Sequence, residues 1–479
     1  MLIVATALTA TAYAGSAPPA PTVFDTPIVA ADGRGEPEVA VDPKHPNVLV
    51  AAYSSGVARS TDGGQHWTQV LDGLSGAGAS ARGAGDPVVV ADAQGNFFYS
   101  HLGSGAYTIQ ESTDQGKTWA DVGAPLHNPL PAGPSVPDMT VHPGDGPLWM
   151  GPSIIGCDRP LMTVDQVTNA IDATCADHGD QSGAEGSPTW EAAFLYCRAN
   201  VFSSGAMTDC GRRYVSVSHD LARTWSAWVP EDSADWPAGY TGAFDGAPAA
   251  AYGVLATAYI ASSAPGSGCT QCVVFETSAD DGVTWTRTLV PGATAQIASI
   301  TPQTAAGQHP AQALIGNDSQ TVWFEPYVTA DPARRGHFAV MIADATTRTH
   351  LLVYQTYDAG TSWSVPLSLG DGIHRVDKPA MAFGPTGALG VMWKSVNAAD
   401  LSFDVWAAVA PPGLKASFGA PVQLSSHPSA EETCGLGGQD GQAYGCDELS
   451  WMVLDKSHLD AVWGDNRSGQ TAYFGRYAF

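Results

Sequence analysis

The octapeptide STDGGQHW, Ser60 to Trp67, decides how this chain of 479 residues is to be read, because it returns four more times. STDQGKTW spans Ser112 to Trp119, SHDLARTW spans Ser218 to Trp225, SADDGVTW spans Ser278 to Trp285, and TYDAGTSW spans Thr356 to Trp363. The shared pattern is Ser/Thr-x-Asp-x-Gly-x-x-Trp, broken only where Ala222 takes the glycine position. Chance does not repeat such a pattern, and self-similarity along a chain is the signature of a repeat architecture. The residue types describe a hairpin turn. The Asp carboxylate accepts hydrogen bonds from turn N–H groups, the Gly supplies a positive φ, and the Trp packs under the turn and opens the next strand. Asp62, Asp114, Asp220, Asp280 and Asp358, with Trp67, Trp119, Trp225, Trp285 and Trp363, are therefore read as structural, since a repeat needs the same turn in every unit. Ala222 implies a third turn that is strained or differently shaped.

Units also have an earlier half, an apolar strand, a polar turn and a second apolar strand. Pro37 to Tyr53, Asp86 to Leu102, Asp377 to Ser395 and Asp447 to Asp465 read alike, Cys157 to Thr174 fits the same frame, and Phe244 to Ile260 fits more loosely. A unit is then four strands, the size of one propeller blade. Five strands follow the octapeptides, and a sixth, Phe418 to Ser425, has lost its turn. The last unit, Asp447 to Phe479, supplies three strands. The strand Phe24 to Ala31, which has no unit before it, is expected to complete that unit and close the ring, removing exposed edges. The expectation is an all-β propeller of seven four-stranded blades, with six as the alternative, in a single domain over residues 22–479.

The five turns resemble the Asp-boxes, or BNR repeats, of the sialidase-like β-propellers, and the resemblance covers most of residues 22–479. It implies a closed propeller, usually of six blades, with a binding face where loops enter the innermost strands. For sialidases it further implies three arginines gripping a carboxylate, a Tyr nucleophile activated by a Glu, and an Asp acid/base. The Arg-Ile-Pro signature of that family is absent, and Arg34-Gly-Glu36-Pro37 is a poor substitute. The repeat also occurs in other hydrolases and in non-enzymatic propellers, so the fold implies no single activity.

Composition agrees with the repeat. There are 53 glycines and 34 prolines, and charged residues make up only 14%. The net charge of −26 repels phosphate backbones and anionic lipid, which excludes nucleic-acid and membrane-surface roles. Leu2 to Ala14 is apolar, ends in a small-x-small pattern and is too short to span a bilayer. It reads as a signal peptide (1–14), with truncation left open because it lacks a basic start, followed by a linker over 15–21. Eight cysteines fall in close pairs, Cys157/Cys175, Cys197/Cys210, Cys269/Cys272 and Cys434/Cys446. Even, locally paired cysteines fit disulfides in an oxidising compartment, although spacing does not fix connectivity, and Cys269-x-x-Cys272 could also be a redox pair or half a zinc site. A secreted or periplasmic monomer follows. No cofactor is expected, with a structural calcium left open.

The residues entering the inner strands are polar. Arg34, Glu36, Asp86, Asp158, Arg159, Asp245, Arg375, Asp377, Lys378, Asp447 and Glu448 would be gathered by ring geometry rather than by sequence proximity. Such a ring suits a substrate or cation site. The competing reading is that each acid caps its own strand start and the neighbouring blade's backbone. Asp86, Asp447 and Glu448 are the candidate catalytic acids. Arg159 and Arg375, with Asp158, Asp377, Lys378, Glu36 and Arg34, are the candidate substrate contacts. The expected function is a secreted glycoside hydrolase acting on glycans at the channel mouth, and the alternative is a non-catalytic propeller that binds glycans or proteins. The excess of acids argues against efficient cleavage of a sialoside.

Overall fold

The computed structural model describes residues 23–28, 37–53, 56–72, 87–102, 107–122, 155–158, 161–180, 212–231, 233, 236, 248–261, 264–268, 272–294, 326–344, 347–397, 399–400, 402–413, 417–430, 450–467 and 471–479. These form seven separate antiparallel sheets, each built on four strands in order. The first blade runs Glu38–Val41, Leu49–Tyr53, Gly56–Ser60 and Thr68–Asp72, and the second Val88–Ala91, Phe97–Leu102, Tyr107–Ser112 and Ala120–Asp121. In the third, the innermost strand comes in two pieces, Ile155–Asp158 and Met162–Val164, both paired with Ile171–Asp180; Arg212–Ser218 and Val229–Pro230 follow. The fourth blade is Ala249–Ala251, Val254–Ala261, Cys272–Ser278 and Thr286–Thr294. The fifth is Tyr327–Ala330, Phe338–Ala343, Leu351–Thr356 and Leu367–Leu369. The sixth is Arg375–Phe383, Leu389–Val396, Ser402–Ala410 and Val422–Gln423. The innermost strands touch in ring order and the seventh touches the first, so the seven sheets close into a seven-bladed propeller.

The seventh blade closes the ring as expected. Ser450–Leu454, His458–Asp465 and Thr471–Ala478 supply three strands, and Val23–Pro27 pairs antiparallel with Thr471–Ala478 as the outermost fourth. The seam carries two ionic clasps. Arg467 reaches Asp25 and Asp465 and lies 4.1 Å over the Tyr473 ring. Arg476 holds Asp460 through two bonds of 2.6 and 2.8 Å and reaches across to the first blade, donating to Pro46 O and Asn47 Oδ1.

All five octapeptide turns share one geometry. In the first, the Ser60 hydroxyl donates to Asp62 Oδ1 and receives the Gly64 N–H, while Asp62 also accepts the His66 N–H. The same atoms recur around Asp114, Asp220, Asp280 and Asp358. These bonds hold the carboxylates low. At Asp62, burial pushes up but His66 and Ser60 pull down to about 2, and at Asp220 the bonds from Thr224 lead, again to about 2. The third turn has the common shape with strain, because Ala222 keeps the hydrogen bond to Ser218 at φ 64°.

The glycine has a second role that the sequence hides. A Cβ on Gly64 would overlap the Phe474 ring of the preceding blade, and one on Gly116, Gly282 or Gly360 would lie 2.5–2.8 Å from Val50, Val215 or Phe275 of theirs. Each turn is thus pressed onto the blade before it, with its Trp half-buried there: Trp67 meets Phe474 edge-on at 5.2 Å, and Trp363 meets Phe275 at 5.1 Å. The turns between first and second strands interlock in the same way, as when Asp165 accepts the Gly253 N–H of the next blade at 2.6 Å. Gly64→Ala is expected to lose about 2–4 kcal/mol, from left-handed strain plus overpacking. Gly253→Ala, with nothing within 4 Å of its added carbon, is expected to lose only about 1 kcal/mol. Equal losses in urea denaturation would show that the glycine serves φ alone.

Candidate functional site

Antiparallel geometry divides the polar groups between two faces. The octapeptide turns and the turns leaving the innermost strands share one end of the ring. The starts of the innermost strands and the hairpins between second and third strands share the other, here called the entrance face. Of the expected site residues, Arg34, Glu36, Asp86, Arg159, Asp245, Asp447 and Glu448 lie outside the described residues. Asp158 lies on the inner strand of the third blade, opposite Ala176, and its side chain is outside those described. Arg375, Asp377 and Lys378 are brought together at the start of the sixth blade.

These three are not equivalent. A bulge between Asp377 and Ala380 breaks the pairing with the second strand, and Lys378 sits there at φ 42°. Asp377 turns inward, 2% exposed, accepts the Lys378 N–H at 3.0 Å and stands 3.8 Å from the Arg375 guanidinium. It is a counter-ion inside the blade. Glu38, at the start of the first inner strand, is wholly buried and accepts the Val89 N–H of the second blade at 3.1 Å. That is the capping of a neighbouring blade's backbone that the sequence offered as the competing reading.

Two cations near this place were not legible from motifs. Lys394 faces Asp377 across the register, is buried, donates to Gly464 O of the seventh blade and lies 4.2 Å over the Phe403 ring. Arg348 lies in the hairpin between the second and third strands of the fifth blade, and its carbonyl accepts the Val376 N–H at 2.9 Å. That bond sets Arg348 beside Arg375 and Asp377. Arg348 has φ 57°, and outside the turns of the opposite face it and Lys378 are the two non-glycine residues with positive φ among those described. Strain of this kind persists where surrounding structure over-determines it, and it gathers at functional sites.

No tyrosine shift seen here suits a nucleophile. The Tyr99 hydroxyl is buried without a hydrogen-bond partner among the described residues, and burial, aided by nearby Tyr53, pushes its phenol above the usual value. Tyr354, Tyr357 and Tyr477 also move up through burial. Among the described residues no group of three or more His, Cys, Asp and Glu is placed to hold a metal ion, and no helix is long and apolar enough to cross a membrane. Cys272 is buried and disulfide-bonded. Its expected partner Cys269, together with Cys197, Cys210, Cys434 and Cys446, lies outside the described residues, as do the side chains of Cys157 and Cys175.

No protein-family model and no curated protein matches the sequence. Solved structures do. A Dyadobacter fermentans protein of unknown function is 13% identical, with 95% of this chain and 99% of that one covered at a TM-score of 0.45. An α-L-arabinofuranosidase from Fusarium graminearum is 14% identical, with 82% and 97% covered at 0.44. An α-L-arabinanase from Penicillium chrysogenum is 13% identical, with 82% and 99% covered at 0.42. No residue role is carried over from any of them.

Proposed function

We propose that this propeller is a secreted carbohydrate-active protein that takes a glycan at its entrance face, and that it acts there as a glycoside hydrolase. One observation carries the reading: the two faces differ in kind. On the turn face, positive φ belongs to hairpin turns, and the carboxylates of the octapeptides are engaged by their own turns. On the entrance face, left-handed backbone carries two cations, Lys378 at a bulge within the inner strand and Arg348 in the hairpin of the fifth blade, beside Arg375, where the loops of two blades meet. A repeat explains the first pattern, and a ligand explains the second. Asp86, Asp447 and Glu448 are the proposed acids, one ionised and one protonated, because glycoside hydrolysis needs two carboxyl groups whose environments push their pKa values apart.

A second reading, a glycan-binding propeller without catalysis, draws on the inward commitment of Asp377 and Glu38 and on the raised Tyr99. A panel of neutral and uronic glycosides, with a sialoside beside them, separates the two. Asp86→Asn, Asp447→Asn and Glu448→Gln are expected to lower turnover by at least about 100-fold, the usual worth of a general acid or base, with an unchanged Tm. Sialoside cleavage is expected to be weak or absent. Glycan binding with no turnover on any member of the panel would establish the second reading instead.

A further inference from the structure

We infer that the entrance face between the fifth and sixth blades holds a subsite for the carboxylate of a uronate-bearing glycan, contacted by Arg348 and Lys378 with Ile373 as an apolar rest beside them. The inference rests on the glycan reading above and names its substrate class.

The charge balance makes this place unusual. At −26 the chain repels a polyanion, so an acidic ligand needs cations left over from internal pairing. Half-buried and buried cations elsewhere are committed, Arg59 to Gln115 O, Arg287 to Glu276, Arg467 to Asp25 and Asp465, and Arg476 to Asp460, as is Arg223 to Glu111 at the surface, whereas Lys44, Lys117, Arg334, Arg335 and Lys456 lie exposed. Arg348 and Lys378 have no acidic partner among the described residues. They are half-buried rather than waving in solvent, and each is fixed through its backbone. The Arg348 N–H donates to Asp344 O and its carbonyl accepts from Val376, while the Lys378 N–H is held by Asp377. Two cations on left-handed backbone cost about 1–2 kcal/mol each against glycine, so structure is being spent to present them.

The rim beside them is also fixed. The loop that enters the sixth blade carries Asp371, whose Oδ1 accepts the Ile373 and His374 N–H groups at 2.8 Å and whose Oδ2 meets His374 Nδ1 at 2.5 Å. Burial pushes the Asp371 carboxyl up, but these bonds outweigh it and keep it ionised, with its charge directed at His374. The turn holds Ile373 at 77% exposure. Gly372 packs against the His350 ring, joining the two loops into one surface. A sugar ring offers both things this surface asks for, a C–H face for an isoleucine and, in a uronate, a planar carboxylate that a guanidinium can grip. A nucleic acid fits less well, because two isolated cations make no basic stripe and, among the described residues, no exposed aromatic side chain stands beside them for a base to stack on.

The test uses polygalacturonate and its fully methyl-esterified form, which keeps the backbone and loses the charge. Calorimetric titration of the whole chain at low salt is expected to show the free-acid polymer bound at least about tenfold tighter, the worth of one charge-assisted contact. Arg348→Gly and Lys378→Gly remove the charges and suit the positive φ, so both variants should stay folded. Together they should abolish the preference, whereas Arg335→Ala, exposed on the opposite face, should not. Equal binding of acid and ester, an unchanged preference in the double variant, or polyglutamate bound with the same sensitivity would each overturn the subsite. Neutral-glycan binding without an acid preference overturns this inference alone, while no binding of any glycan removes the reading it rests on.

Discussion

Arg476→Ala is expected to cost about 3–5 kcal/mol, the usual penalty for removing one partner of a buried ion pair. Asp460 is wholly buried and receives both arms of the guanidinium. Without Arg476 its charge has no compensation, and Asp455 nearby adds like-charge repulsion. The guanidinium also crosses the seam to Pro46 and Asn47, beneath the first octapeptide turn, where a Cβ on Gly63 would strike it. The loss therefore falls on ring closure as well as on one blade. Arg476→Lys should recover only part of it, since an ammonium cannot make the two parallel bonds. Removing Asp460 as well should return some of the stability, because the stranded charge goes with it. Urea unfolding at neutral pH reads all three. A single variant within about 0.5 kcal/mol of the parent, the spread of ordinary surface changes, would show that the seam is held by strand pairing alone.

The legible part of the fold was its period. Five octapeptides, a unit with three strands and an unmatched N-terminal strand were enough to expect seven blades and the way the ring shuts, because closure is a matter of counting. The sixth blade, which has no octapeptide, still forms its outer strand at Val422–Gln423. What the turns do across the interface was not legible. The glycines look like φ devices until Phe474, Val50, Val215 and Phe275 are placed against them. The tryptophans, expected under their own turns, also reach the neighbouring blade: Trp67 donates to Gly64 O of its own turn and meets Phe474 edge-on, and Trp363 meets Phe275.

The site was legible only as a neighbourhood. Arg375, Asp377 and Lys378 were named together because they enter an apolar strand, but their division into a buried counter-ion and a half-buried cation on left-handed backbone comes with a bulge that no motif announces. Arg348 was invisible for a simpler reason. It lies in a hairpin 27 residues before Arg375 that no repeated motif marks, and the bond to Val376 brings it to the same place. Repeats reveal what every blade shares, and a ligand site is built from what one or two blades do differently.

Asp172 carries the second large effect, and its direction is opposite. It lies on the second strand of the third blade, 3% exposed, and its Oδ2 has no hydrogen-bond partner among the described residues. Burial, then Asp165 and Asp281, push its carboxyl up to about 8 from an ordinary 3.8. In the folded chain the group keeps its proton well past neutrality, while in the unfolded chain it gives the proton up near 4. Between those values the native state binds more protons, so stability falls as pH rises through the window and the full loss is reached above about 8. At about 1.4 kcal/mol per pH unit, a window of some four units sets an upper bound of about 5–6 kcal/mol. Asp172→Asn is nearly isosteric and has no charge to acquire. It should leave stability at pH 4 almost unchanged and raise it by several kcal/mol at pH 9, flattening the curve between them. Paired urea titrations at the two pH values decide the matter. If the variant keeps the parent's slope between pH 4 and 9, the alkaline loss comes from another group and Asp172 is not the buried acid described here.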